Sequence, residues 1–451
     1  GGEFMNEKFA LLCAAFSLFA GCAGPIAESG GEPAQASPFT VAAAEPIREL
    51  QQMKSITSTP AGVYLTESMV NNRNTMLYYI EADAAFMHPL CGDTACSHNS
   101  ESCPAWFPDG KNVFLLADGE TLYVAQADYN QRQRSNARET DEFPLTIWAY
   151  SLDGQTRTQI FSQSITQPVE TQGKQRYPMP AESLYYDGSY FYADLINYFT
   201  DEKVFIRIDP ATGQYEPVQH PGEAAEQAIE GSSYGYIQGV TGGYLVLCCY
   251  TKQGDIADCW VSVDGSTVFR IDQEIQGSSA YGSDALYWLN TQEPGSIKIM
   301  RLAPGEQEPQ LYGELQELTA QPYDEEYWRL SSTDKFRYAP YMLKLDCLDN
   351  VIVTDYGGQE AQSWLCLPGG KTMPCALHTY RYTSEDTSLG TLAAAGDKLL
   401  TALRTEVYSP FIIDYSGEPN LENCYLWQYA FISREDYENQ TPGYQLVQRA
   451  D

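Results

Sequence analysis

The sequence repeats one short pattern along most of its length, and this repeat is the feature that most restricts the fold. Each copy has a turn with Gly or Asn, an apolar strand-like run, a polar loop of variable length, a second strand-like run and a turn with Asp or Gly. The runs are rich in Tyr, Val, Ile and Trp, whereas helical periodicity is confined to short pieces such as residues 46–53. The pattern therefore predicts an all-β chain built from hairpins.

Seven copies of this hairpin can be traced between residues 56 and 451. They leave about 57 residues for each copy, more than the roughly 40–50 of a four-stranded blade, and we assign the surplus to long loops. Hairpins with two apolar faces must stack on like neighbours, and a ring of them leaves only short protected edges. We therefore predict a single β-propeller over residues 56–451 with seven blades. Six or eight blades, or two tandem β-sandwiches, are the alternatives. The copies are 61–65 with 75–80, 117–125 with 146–154, 186–193 with 204–213, 240–247 with 259–265, 282–289 with 297–305, 348–354 with 363–369 and 395–401 with 425–431.

Three short cores carry a resemblance to known propellers. They are Leu77-Tyr-Tyr79, Leu286-Tyr-Trp288 and Ile206-Arg-Ile-Asp209. These cores resemble the YWTD-type repeats of low-density-lipoprotein-receptor propellers. Most of the chain after the N-terminal region is also similar to uncharacterised propeller lipoproteins of Gram-positive gut bacteria. The resemblance implies a propeller fold for this chain.

An apolar run near the N-terminus predicts export. Residues 9–20 follow the single basic Lys8 and end at Gly21-Cys22, and they are too short to cross about 30 Å of hydrocarbon. Small residues before a cysteine resemble a bacterial lipobox, which implies a lipidated Cys22 and a membrane anchor at the extracellular face. We therefore expect a signal peptide over residues 5–21, with ordinary secretion as the alternative. Residues 1–4, ahead of Met5, are typical of a cloning remnant and are excluded from the signal peptide.

The segment after Cys22 has the composition of a tether. Residues 23–39 are rich in Gly, Pro, Ala and Ser and poor in residues that form a core. We assign residues 22–55 to the lipidated cysteine and a flexible tether, which at about 30 residues spans roughly 30 Å. A helical spacer through residues 42–45 is the alternative. Both arrangements hold the propeller near the outer face of the membrane.

A loop at residues 90–104 carries three cysteines and a histidine with the spacing C-x4-C-x-H-x4-C. Three thiolates and one imidazole, from Cys91, Cys96, His98 and Cys103, could bind a tetrahedral Zn²⁺ as a closed structural site. The same arrangement follows the first hairpin in the propeller lipoproteins named above, so the resemblance implies a family feature. Disulfides are the alternative, because exported proteins commonly form them in an oxidising compartment. Without the cysteines of the signal peptide and the lipid anchor, ten remain, an even number that could all be paired. His98 favours the metal, since a disulfide has no need of an imidazole.

Composition and loop aromatics suggest a binding function. The chain has 60 acidic and 27 basic residues and a net charge of −33, which argues against nucleic-acid binding. Tyr327, Trp328 and Tyr341 are candidate ligand contacts because loop aromatics can stack on sugars or peptide side chains.

No catalytic residue is assigned from the sequence. We expect an extracellular binding module for a glycan, a peptide or an envelope protein. An exported polysaccharide- or glycoside-cleaving propeller, which would need paired carboxylates, and a structural envelope scaffold are the alternatives.

Overall fold

The protein contains seven sheets, each built on an antiparallel meander of four main strands. It is therefore a seven-bladed β-propeller, as the repeats predict. The computed structural model describes residues 40–449 with gaps at 69–73, 94, 109–111, 128–143, 170–174, 179–180, 198–201, 253–255, 274, 276–277, 292–295, 320–340, 357–360, 382–383, 409–410, 414–418 and 422–423. By its contacts the chain divides into residues 1–38 and residues 39–451. The expectations on the signal peptide and on Cys22 lie outside the described residues.

Each blade is a meander in which the first strand lies at the centre of the ring. A short segment, β1 (Gln51–Gln52), precedes the first blade. Blade 1 contains β2 (Ile56–Thr59), β3 (Gly62–Ser68), β4 (Thr75–Glu81), β5 (Phe86–Pro89) and β6 (Trp106–Phe107). Blade 2 contains β7 (Asn112–Asp118), β8 (Thr121–Ala127), β9 (Pro144–Ser151) and β10 (Arg157–Ser164), and a separate hairpin of β11 (Thr166–Val169) and β12 (Gln175–Pro178) follows it. Blade 3 contains β13 (Ala181–Tyr186), β14 (Phe191–Asn197), β15 (Glu202–Asp209) and β16 (Gln214–Val218).

The remaining blades follow the same order. Helix α1 (Pro221–Ala228) leads into blade 4, formed by β17 (Ser232–Thr241), β18 (Tyr244–Thr251), β19 (Ile256–Val261) and β20 (Val268–Arg270). Blade 5 contains β21 (Ser279–Tyr281), β22 (Leu286–Asn290), β23 (Ser296–Leu302) and β24 (Gln310–Thr319). Blade 6 contains β25 (Tyr341–Leu345), β26 (Val351–Asp355), β27 (Gln362–Cys366) and β28 (Thr372–Pro374). A short hairpin, β29 (Tyr380–Arg381) and β30 (Ser384–Glu385), then joins blade 7.

Blade 7 completes the ring. It contains β31 (Gly390–Ala395), β32 (Lys398–Tyr408), β35 (Cys424–Ser433) and β36 (Gln445–Leu446), with a hairpin of β33 (Phe411–Ile413) and β34 (Pro419–Leu421) between its second and third strands. Helix α2 (Arg434–Glu438) follows β35, and β37 (Gln448–Arg449) is the last element. No helix among the described residues has both the length and the apolar character to span a membrane.

The blades bury both of their faces, which is why their central strands are apolar throughout. In blade 1, Tyr64 and Leu77 pack in a core shared with blade 2. Val63 and Ile80, on the opposite face of the same strands, pack in a core shared with blade 7. Alternate side chains thus serve two interfaces, as stacked apolar hairpins require.

The last residues of the described chain close the ring on blade 1. β37 pairs in parallel with β5, and the Gln448 N–H donates to the Ala85 carbonyl at 2.8 Å. Arg449 binds both carboxylate oxygens of Glu67 at 2.8 and 3.0 Å. The first blade is therefore completed by residues from the far end of the sequence.

Residues 40–55, which we name the axial segment, are bound to the ring and include no helix. Tyr79 Oη donates to the Thr40 carbonyl at 2.8 Å, and the Ile47 N–H donates to Asp118 Oδ1 at 2.8 Å. β1 then pairs with β13, and Lys54 exchanges two backbone hydrogen bonds with Leu115. The sequence predicts that these residues belong to the flexible tether, whereas in the structure they contact the central strands of blades 2 and 3. The difference arises because strands far away in sequence pair with backbone groups of this segment, and because Leu50 and Met53 are buried in the cores of the blades.

Candidate metal centre

The Cys/His loop interrupts the outer strand of blade 1. β5 and β6 both pair with β4, and residues 90–105 leave the sheet between them. Leu77 closes the base of this excursion, because its N–H donates to the Ala105 carbonyl at 2.8 Å and its carbonyl accepts from the Leu90 N–H at 2.9 Å. The loop therefore begins and ends at one residue of the adjacent strand.

The four candidate ligands meet inside this loop. The sulfur atoms of Cys91, Cys96 and Cys103 and a ring nitrogen of His98 all lie within 4.8 Å of one another. His98 Nδ1 lies 3.3 Å from Cys103 Sγ. A tetrahedral site with metal–sulfur bonds of about 2.3 Å places its sulfurs about 3.8 Å apart, which is compatible with ligand atoms that all lie within 4.8 Å of one another. The group that the sequence predicts is thus brought together and could hold a metal ion.

Short-range hydrogen bonds shape the first half of the loop. Asp93 Oδ1 accepts from the Ala95 N–H at 2.8 Å, and the Asp93 carbonyl accepts from the Cys96 N–H at 3.1 Å. His98 has φ of 51°, a left-handed conformation in which histidine is enriched several-fold over most residues. Its N–H donates to Cys96 Sγ at 3.4 Å. The turn residues therefore point the sulfur and the ring inward.

Burial disfavours the ionised, thiolate form of the cysteines in the loop. Cys103 is fully buried, and burial raises its pKa to about 12. Burial also raises the pKa of Cys91 and lowers the pKa of His98. Neutral side chains are therefore favoured in this enclosure, and a divalent cation would reverse the preference by stabilising thiolates.

The loop is wedged against the turn between β9 and β10 of blade 2. Tyr150 Oη donates to the Pro104 carbonyl at 2.8 Å. A Cβ atom on Gly92 would lie 2.9 Å from Gln155 Cα, so only glycine permits this approach. The loop consequently belongs to the interface between blades 1 and 2, a role that its spacing in the sequence does not reveal.

Two turns among the described residues share one side-chain geometry, and one of them is the turn that supports the loop. In blade 2 the sequence is Ser151-Leu-Asp-Gly-Gln-Thr156, and in blade 4 it is Ser262-Val-Asp-Gly-Ser-Thr267. In both, the serine hydroxyl donates to the aspartate, at 2.7 and 2.6 Å, and accepts from the threonine N–H, at 3.0 and 2.9 Å. These turns join the third and fourth strands of their blades.

The other predicted site residues do not join this centre. Tyr341 is the first residue of β25, where it is 9% exposed and packs in the core between blades 5 and 6. Burial raises its pKa. Tyr327 and Trp328 lie outside the described residues. Among the described cysteines, those in blades 4 and 6 are also free thiols: Cys248, Cys249, Cys259, Cys347, Cys366 and Cys375.

A second feature, which the sequence analysis does not identify, is a cavity of about 670 Å³ between the axial segment and blades 1, 2 and 3. It is lined by Gln52, Met53, Lys54, Ser55, Ile56, Thr66, Thr75, Asn112, Val113, Phe114 and Glu182. These residues come from five separate stretches of sequence, so no local motif marks them.

Comparison with known proteins gives no family. No family model matches the chain, and no curated protein matches its sequence. Among solved structures, the chain is similar to the β-propeller domain of the Trilobed protease from Pyrococcus furiosus, with 9% identity over 74% of this chain and 98% of the other and a TM-score of 0.32. It is similar to a putative 6-phosphogluconolactonase from Bacteroides uniformis, with 10% identity over 86% of this chain and 100% of the other and a TM-score of 0.33.

A third similar structure is a puromycin-hydrolysing peptidase from Mycobacterium tuberculosis. The identity is 9% over 93% of this chain, the TM-score is 0.39, and the chain spans 57% of that protein. At these identities and TM-scores we base the fold assignment on the strand order, and we take no function from these proteins.

Proposed function

We propose that this protein is a cell-surface binding module, anchored through a lipid on Cys22, in which the Cys/His loop holds a structural zinc ion. The observation that carries the proposal is the convergence of one imidazole and three thiols within 4.8 Å in the loop between β5 and β6 of blade 1. Zinc would join the two halves of a polar loop, in addition to the hydrogen bonds at its base and its contacts with blade 2. The loop would then fix blade 1 against blade 2.

The donor set favours zinc in a structural role. Three sulfurs and one ring nitrogen are a common ligand set for zinc, and four protein ligands leave no open position for a substrate. The ion would supply charge compensation for the thiolates. Cys91 and Cys103 would hold it from the buried side of the loop, whereas Cys96 and His98 are half-buried and would complete the site towards the solvent.

The cavity favours binding over hydrolysis. Glycoside hydrolases generally use a pair of carboxylic acids on either side of the bond that they cleave. Glu182 is the single acidic residue among those that line the cavity. The lining of this cavity therefore supports a binding module better than an exported glycosidase. We assign ligand binding to the propeller.

Metal analysis tests the zinc centre. We would purify the full chain without chelator and measure bound metal by mass spectrometry, alongside a Cys91→Ser/Cys96→Ser variant. Cys366→Ser is the matched control, because it removes a fully buried thiol from blade 6. We expect about one zinc per chain in the wild type and in the control, and none in the double variant. A metal-free wild type whose cluster cysteines resist alkylation until they are reduced would refute zinc in favour of disulfides.

Lipid labelling tests the anchor. Cells that express the chain would be fed an alkyne-tagged fatty acid, and the wild type would be compared with Cys22→Ala. We expect label and membrane association in the wild type and neither in the variant. A chain that is released unlabelled into the medium would show that it is secreted.

A further inference from the structure

We propose that the cavity between the axial segment and blades 1 to 3 binds a short neutral oligosaccharide. This inference rests on the proposed function as a binding module and adds a site and a ligand class to it. None of the four candidate metal ligands lines the cavity.

The position of the cavity makes it accessible from one face of the ring. Thr66 lies near the end of β3, and Thr75 is the first residue of β4. Asn112 is the first residue of β7, and Glu182 is the second residue of β13. All four lie at the same face of the ring, because neighbouring strands in a blade run antiparallel and the end of one strand lies beside the start of the next. The cavity thus opens at the face where the chain passes from one blade to the next.

The lining combines an apolar floor with a neutral polar rim. Met53 and Val113 are buried and Phe114 is half-buried, so the floor is apolar and includes one aromatic ring. The rim has two amides and three hydroxyls, from Gln52, Asn112, Ser55, Thr66 and Thr75. Amide and hydroxyl side chains can both donate and accept hydrogen bonds. Sugar hydroxyls have the same double capacity, and the C–H face of a pyranose ring is apolar.

Charge selects against the other ligand classes. Lys54 and Glu182 are the two charged residues of the lining, and they have opposite signs. A polyanion would meet one ammonium group in a chain of net charge −33, whose field repels it. A basic peptide could pair with one carboxylate in the lining, whereas tight binding of several positive charges requires several carboxylates. A ligand without net charge is therefore the best match.

Size favours more than one sugar ring. Ligand cavities in proteins commonly have volumes of about 300–1,000 Å³, and this open cavity has a volume of about 670 Å³. A single hexose would leave much of the polar rim without a partner. A short oligosaccharide would reach both the floor at Phe114 and the rim at Gln52.

Main-chain hydrogen bonds join the walls of the cavity to one another. The Thr66 N–H donates to the Ser55 carbonyl at 3.1 Å. Lys54 and Leu115 exchange backbone hydrogen bonds at 3.2 and 2.6 Å, and Thr75 pairs with Phe107 across the sheet. Walls that are already ordered lose little conformational entropy when a ligand binds.

Saturation-transfer NMR tests the proposal with named probes. The full chain would be mixed with cellobiose, maltose and lactose, and separately with digalacturonic acid as the anionic counterpart. We expect a signal from at least one neutral disaccharide and none from the acid. The signal should fall to background in Asn112→Ala, which removes a rim amide, and in Ser55→Trp, which fills the cavity from an exposed position.

A matched control separates this cavity from a rival surface. Tyr236 and Tyr250 are 46% and 42% exposed on blade 4 and form an alternative platform for a sugar. We expect Tyr236→Ala/Tyr250→Ala to keep the signal, and all variants to keep the wild-type melting temperature within a few degrees. No signal from any neutral probe, a signal from digalacturonic acid alone, or a signal lost in the tyrosine variant and retained in Asn112→Ala would overturn the proposal.

The two proposals fail separately. Zinc in the metal assay together with no saccharide signal would refute the cavity site and leave the metal-held loop intact. Saccharide binding by a metal-free wild type would refute only the zinc centre.

Discussion

Gly154 of blade 2 lies directly against Leu90 of blade 1. A Cβ atom on Gly154 would be 2.9 Å from Leu90 Cγ and 2.9 Å from the Leu90 carbonyl oxygen. Leu90 precedes Cys91, the first of the candidate metal ligands. The turn between β9 and β10 is therefore a support for the Cys/His loop.

Gly154→Ala should destabilise the protein more than Gly119→Ala. Both glycines have positive φ, of 67° and 56°, but a Cβ on Gly119 would have no atom within 4 Å. The left-handed backbone alone costs about 1–2 kcal/mol for alanine, and the clash with Leu90 adds about 1–3 kcal/mol of overpacking at residue 154. Urea unfolding of the two variants measures the difference. Equal losses would mean that Leu90 moves aside freely, and the turn would then give the loop no support.

Arg449→Ala should weaken ring closure. Arg449 binds both oxygens of Glu67, whose side chain is 15% exposed and also accepts from Tyr429 Oη at 2.7 Å. Loss of this charged pair should reduce the free energy of unfolding by about 1–2 kcal/mol. The control is Arg434→Ala, which breaks an exposed pair with Glu438 inside α2 and should cost about 0.5 kcal/mol or less. A larger loss in the control would contradict the assignment of β37 as the closing strand.

Asp264→Ala should destabilise the turn between β19 and β20. Asp264 Oδ1 accepts from Ser262 Oγ at 2.6 Å and from the Ser266 N–H at 3.0 Å. We expect a loss of about 1 kcal/mol at pH 7, measured by urea unfolding. Asp272→Ala is the control, because its carboxylate pairs only with Arg270 among the described contacts and is 70% exposed. An unchanged free energy of unfolding in Asp264→Ala would show that the backbone alone holds the turn.

Asp258→Asn should become more stable relative to the wild type as the pH rises. Burial raises the pKa of Asp258 above 3.8, so the folded protein binds this proton more tightly than the unfolded chain does. The resulting stability is complete below pH 3.8 and is lost as the pH rises through the higher folded pKa. Unfolding free energies of both proteins between pH 4 and pH 7 measure the effect.

Asp209→Asn is the control for the Asp258→Asn measurements, because the pKa of Asp209 is shifted in the opposite direction. Hydrogen bonds from the Ala211 N–H and the Thr212 hydroxyl lower the pKa of Asp209, so its contribution is lost only as the pH falls below 3.8. The difference between Asp209→Asn and the wild type should therefore stay nearly constant from pH 5 to pH 7. A difference for Asp258→Asn that is equally constant would contradict the raised pKa.

The central strands of the blades could be predicted from the sequence because they are buried on both faces. Leu286, Tyr287 and Trp288 are all buried, so β22 appears as a continuous apolar run between turn residues. The axial segment lacks such a signal. β1 consists of Gln51 and Gln52, and its partners Tyr185 and Tyr186 lie more than a hundred residues away. Pairing of that kind is decided by tertiary contacts and not by local pattern.

The candidate sites divide in the same way. Cys91, Cys96, His98 and Cys103 lie within thirteen residues, so their spacing alone indicates a common centre. The support from Gly154 and the closure by Leu77 depend on strand pairing between distant segments. The cavity has no sequence signal at all, because its polar rim is composed of common residues that the ring brings together. Tyr341, which the sequence places among loop aromatics, is buried because β25 begins at that residue.

The pairing of β37 with β5 has a consequence for how the protein is made. Arg449 and Glu67 are 382 residues apart, so blade 1 keeps an unpaired outer edge until β37 has been synthesised. At about 5–20 residues per second, that edge stays open for roughly 20–80 s. Exposed strand edges are templates for pairing with other chains. The first blade to be translated is thus the last to be completed, and it is the part of the nascent protein that most needs shielding from its neighbours.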